Sequence, residues 1–113
     1  MAVSNITIPC YGNDIFIYLT SGAIPSKLEF GNYDTWRAHW VALLKGLNLM
    51  AFVDGSKSGP KEFDYRWDRQ EQLVLHGILI SISEKFLKRL NVSQMNTAKE
   101  AWDEIAKTAT KEA

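Results

Sequence analysis

"FGNYDTWRAHWVALLKGL", residues 30–47, decides the fold. Asn32 is a good N-cap residue. Behind it, Trp36, Trp40, Leu43 and Leu47 recur at intervals of four, three and four, which puts them on one stripe of a helix. Gly46 and Asn48 weaken and end the pattern. Two tryptophans so close at one helix start fit three roles: a cofactor stack, a nucleic-acid platform or a core. The remainder of the chain separates them.

After residue 47, "LMAFVDGSKSGP" runs into a loop from Asp54 to Pro60. A helix is expected from Asp64, polar at its start with Trp67 on its inner side, continuing into "LVLHGILISI". Taken alone that apolar run reads equally as a strand. It follows a helix-forming segment with no turn signal, so a buried central helix is the reading. Ser83 caps a short helix carrying Phe86, Leu87 and Leu90. Thr97 and Glu100 form a capping box opening a helix whose inner stripe is Ala98, Ala101, Trp102, Ile105 and Ala109.

Before residue 30 the composition shifts to Ile, Tyr, Phe and Thr, broken by Pro9, Gly12-Asn13, Gly22 and Pro25. Such runs favour extended chain, and Gly12-Asn13 turns a short hairpin between Ile6–Cys10 and Ile15–Leu19. Pro9 keeps its strand at an edge. The expected architecture is all-α: a small bundle of about four to five helices (residues 30–113) behind an extended arm or short β-hairpin (residues 1–29).

The 113 residues are 46% hydrophobic and 23% charged, which is the composition of one globular domain. Net charge is zero, so no overall field draws the chain to phosphate or to an anionic membrane. A lone cysteine, Cys10, forms no internal disulfide and excludes zinc sites that need two thiolates. No basic, apolar leader opens the chain. An intracellular, cytoplasmic location follows as the expectation.

Local chemistry points to no enzyme. His39 and His76 lack a second ligand at helical spacing. Nothing beside Cys10 lowers a thiol pKa. No phosphate-cradling glycine loop or nucleophile elbow is present. The expectation is no catalytic residue, no cofactor and no metal. Lys85, Lys88 and Arg89 cluster on the short helix and offer weak, salt-sensitive RNA contact at best. Trp36, Trp40, Trp67 and Trp102 all share stripes with Leu, Ile or Ala, which favours core anchors over stacking platforms.

The order of these anchors resembles a known family. "KLEFGNYDTWRAHWVALLKGLNLMAFVDGS" (27–56), Trp67 before an apolar helix ending "SIS", and "TAKEAWDEI" (97–105) are similar to the N-terminal region of copia-type LTR-retrotransposon Gag polyproteins. Asn32, Tyr33 and Trp36 match one signature of that family. Thr97, Ala98, Glu100, Trp102 and Ile105 match another. The resemblance implies a capsid N-terminal-domain-like helical lobe that self-assembles into the shell of virus-like particles around the element's RNA. It implies the chain itself as partner and no small-molecule substrate. RNA is held only indirectly, because the zinc knuckle of many Gags is missing here. A domesticated Gag fragment, acting as an interaction module that interferes with assembly of related elements, is the alternative.

One face of the first helix stays unexplained. Opposite the tryptophans lie Asp34, Ala38, Val41, Ala42 and Lys45. Either the N-terminal arm covers these small residues, or they form the surface where neighbouring copies pack helix to helix.

Overall fold

The computed structural model describes residues 5–9, 15–56 and 64–111. Strands β1 (Asn5–Pro9) and β2 (Ile15–Leu19) pair antiparallel with Thr7 opposite Ile17. Helices α1 (Tyr33–Gly46), α2 (Ala51–Asp54), α3 (Tyr65–Ile80), α4 (Glu84–Leu87) and α5 (Ala98–Lys111) follow. The architecture is a small helical bundle preceded by a hairpin. The Gly12-Asn13 turn and Cys10 lie outside the described residues, as does most of the expected Asp54–Pro60 loop.

Local chemistry explains most of the ends. The Asp64 carboxylate accepts from Arg66 N at 2.9 Å and opens α3. Ser83 Oγ accepts from Phe86 N at 3.2 Å and opens α4. Thr97 Oγ1 accepts from Glu100 N at 3.1 Å, the threonine half of the capping box. At the end of α1, Asn48 takes the left-handed conformation (φ 60°). Leu49 N then reaches Leu44 O at 2.7 Å and Asn48 N reaches Lys45 O at 3.1 Å, closing a Schellman motif.

Asn32 departs from expectation. Its side chain does not cap α1. It turns back instead, accepting from Glu29 N at 2.7 Å and donating to Lys27 O at 3.0 Å. The residue rigidifies the turn before the helix rather than the helix itself.

The two tryptophans of α1 face inward and share one partner. Trp36 and Trp40 are 2% and 1% exposed. Their indole N–H groups both donate to Ser81 Oγ, at 3.2 and 3.1 Å, and that hydroxyl donates to Ile78 O at 2.7 Å. One donor and two acceptor sites are thereby used up. The Ser81 carbonyl also accepts from Leu28 N at 2.7 Å and from Trp36 Nε1 at 3.2 Å. Leu28 O accepts in turn from Ser83 N at 3.0 Å. Ser81 therefore knots α1, the end of α3 and the segment before α1. This knot sets the rotation of α1, so Leu44, not Leu43 or Leu47, completes the buried stripe. Those two, which flank it, are only partly buried.

β2 belongs to the same core. Leu19, Ile24 and Leu28 pack with Trp36, Trp40, Ile78 and Ile105. Two features seat β2 on α3. The buried Gln70 amide pairs with both backbone groups of Ile17: Ile17 N donates to Oε1 at 2.8 Å, and Nε2 donates to Ile17 O at 2.9 Å. This occupies a strand edge that would otherwise be open. Gly77 allows the approach, since a Cβ there would stand 2.8 Å from Leu19 Cβ and 3.3 Å from the Trp40 ring.

Candidate functional site

Trp102 comes from α5 and stacks on Trp36, ring centres 5.9 Å apart, with Arg37 6.0 Å above its own ring. It is 8% exposed. Trp67 differs from the other three. It is half-buried at the margin, 4.4 Å from the Phe52 ring. The reason is its place in the first turn of α3, before Gln70, Val74 and Ile78 carry the inner face.

The outer face of α1 is open. Asp34, Ala38, Ala42 and Lys45 are exposed. Val41 differs from expectation: it is half-buried and packs on the core, because it stands on the flank of the stripe between Trp40 and Leu44. Among the described residues β2 packs on α3, and Ala38 and Ala42 stay exposed. Lys85, Lys88 and Arg89 are exposed on α4 and just beyond it. The Arg89 guanidinium lies 5.7 Å over the Phe30 ring, so this basic group is partly engaged with an aromatic of its own chain.

Titratable groups carry modest signatures. Burial raises the Tyr33 phenol above its ordinary value, against the opposing charge and hydrogen bond of Arg37. Burial also raises the Glu71 carboxyl, with the charges of Asp68 and Glu100 adding to it. Asp54 is held low by hydrogen bonds from Ser56, first of all its backbone N–H. His39 is exposed, and His76 is exposed with its ring stacked on Tyr18 at 5.8 Å. Among the described residues no group of three or more His, Cys, Asp or Glu side chains is placed to hold a metal ion.

A groove of about 530 Å³ opens beside the start of α1. The turn before the helix, α4 and the last turns of α5 form its walls. Sequence reasoning missed it, because its parts are far apart in the chain.

Comparison with known proteins relates this chain to mobile elements. It is similar to the "Retrovirus-related Pol polyprotein from transposon RE1" of Arabidopsis thaliana, 32% identical over 94 residues. It is similar as well to the "Retrovirus-related Pol polyprotein from transposon RE2" of the same plant, 33% identical over 94 residues. Each match covers 73% of this chain and 6% of the relative, so the chain spans about 6% of the length of the curated relatives it matches. No family model matches, and no solved structure does. The chain is a retrotransposon-related sequence. No helix among the described residues is long and apolar enough to cross a membrane.

Proposed function

We propose that this chain is a structural self-assembly domain, the N-terminal capsid-type lobe of a copia-type Gag region, and that it acts without catalysis. The similarity to transposon polyproteins supplies the context. The observation that carries the reading is the outer face of α1, where Ala38 and Ala42 stand exposed on a helix whose opposite side is locked into the core. Solvated helix faces ordinarily carry long polar side chains. Small ones let a second helix approach to the short end of the usual 8–10 Å separation. Asp34 and Lys45, at opposite ends of the face, supply opposite charges for an antiparallel neighbour. Contacts through so few small side chains are weak one at a time, and a closed shell multiplies them. RNA is enclosed through other parts of the polyprotein.

The test is particle formation by the parent open reading frame, viewed by negative-stain electron microscopy. Ala42→Glu is expected to abolish particles while leaving the fold intact. Particles as abundant as those of the unaltered protein would refute the assignment. A variant of the reading, a domesticated fragment that blocks assembly of related elements, predicts instead that co-expression of the 113-residue chain reduces particle yield from a related transposon polyprotein.

A further inference from the structure

The groove beside α1 has a chemistry distinct from the small-residue face. Its aromatic lining comes from Phe30, Tyr33 and Phe86, with Phe30 set 5.0 Å from Phe86. Phe30 is 37% exposed, one of the few large apolar side chains left in water among the described residues. The carboxylates of Glu29 and Asp34 stand on the rim, exposed, and neither forms an ion pair with a described residue. The last turns of α5 close the far side with Ala109 and Thr110, where the negative carbonyl end of the helix is offset by Lys111 in the same turn. The Asn32 side chain clamps the turn that carries Glu29 and Phe30, so the site is preorganised.

Aromatic faces beside exposed carboxylates attract a cation that retains an apolar stem. The Arg89 guanidinium already lies over Phe30, so the ring accepts a cation and an incoming one has to displace or share with Arg89. We propose that this groove docks a basic segment of a partner protein, with one lysine or arginine side chain laid across Phe30 and Tyr33 between Glu29 and Asp34. Aliphatic neighbours in the segment fill the space against Ala109. Arg37, bonded to Tyr33, and Arg89 border the site and oppose an incoming cation. Affinity is therefore modest and falls with salt. The site shares Asp34 with the α1 outer face, but Glu29, Phe30, Tyr33 and Ala109 lie outside that face, so Ala42→Glu, which tests the outer face, leaves this site untouched.

The experiment is an NMR titration of the intact chain with three capped peptides: acetyl-Leu-Lys-Leu-amide, acetyl-Leu-Arg-Leu-amide and acetyl-Leu-norleucine-Leu-amide. The lysine and arginine peptides are expected to give saturable shifts at Phe30, Tyr33, Asp34 and Ala109. The norleucine peptide should bind at least about tenfold more weakly, the span of one cation–aromatic contact with carboxylate support. The double variant Glu29→Gln/Asp34→Asn, with unchanged melting temperature, should lose that preference. Equal binding of the norleucine peptide, shifts confined elsewhere, or no saturation would overturn the proposal. The same shifts appearing on concentrating the protein alone would assign the groove to a second copy and overturn the partner named here.

Discussion

The two faces of α1 carry different kinds of information. On the inner face, Trp36, Trp40 and Leu44 are each buried, and both indole N–H groups end on one serine hydroxyl. Both indole N–H groups have partners within the chain and the rings are buried, so substitutions there are expected to register as lost stability. On the outer face, Ala38 and Ala42 have no such partners among the described residues, and a substitution there is expected to leave the fold alone. A helix with one face accounted for by its own fold and two small apolar residues exposed between Asp34 and Lys45 on the other is the contrast on which the proposed assembly surface rests.

The sharpest way to break this contrast is Trp40→Ala. Removing a fully buried indole is expected to cost about 3–5 kcal/mol, close to the whole stability of a small domain. Chemical denaturation followed by circular dichroism measures it; an unchanged midpoint would mean that the inner face is not the core.

Gly77→Ala comes next. Alanine favours the helix by about 1 kcal/mol, but its methyl would overlap Leu19 Cβ at 2.8 Å. Overpacking of this kind costs about 1–3 kcal/mol and prevails. The expected melt is lower than that of the unaltered chain, with protection of β2 amides from hydrogen exchange reduced first.

Ser81→Ala tests the knot itself. Trp40 loses its hydrogen-bond acceptor, while Trp36 keeps the Ser81 carbonyl. A buried donor left unsatisfied costs about 1–3 kcal/mol. A melting temperature equal to that of the unaltered chain would show that the hydroxyl is dispensable.

These residues mark where reading the sequence stops. The stripes of α1 and α5 and the caps at Asp64, Ser83 and Thr97 are written within a few neighbouring residues, so periodicity and side-chain chemistry disclose them. The hairpin strands are legible for the same reason. Ser81, Gln70 and Gly77 are different. Ser81 bonds partners 45 and 41 residues away, and Gln70 bonds one 53 residues away. Nothing local distinguishes them from other polar or small residues of α3 and the turn that follows. The choice of Leu44 over Leu43 depends on the same long-range knot. Of the candidate surfaces, Ala38 and Ala42 are visible from helical spacing alone. The aromatic groove is not, because Phe30, Phe86 and Ala109 meet only in three dimensions.

A smaller effect sharpens the picture between α3 and α5. Glu71 is held above the ordinary glutamate value by burial, and by Asp68 and Glu100. The folded chain then holds that proton more tightly than the unfolded chain, so stability falls as pH rises from the unfolded value through the folded one. The penalty persists at neutral pH. Glu71→Gln is expected to raise the melting temperature slightly at neutral pH, with the gain closing below about pH 4. A gain that grew on acidification would have the wrong sign.

The most direct measurement is sedimentation equilibrium on the 113-residue chain and on Ala42→Glu, from dilute to crowded solution. The substitution changes stability by no more than about 0.5 kcal/mol, as exposed sites generally do. The unaltered chain is predicted to be monomeric when dilute and to gain average mass as concentration rises. The Ala42→Glu chain should stay monomeric throughout, at an unchanged melting temperature. Identical mass curves for the two proteins would contradict the account.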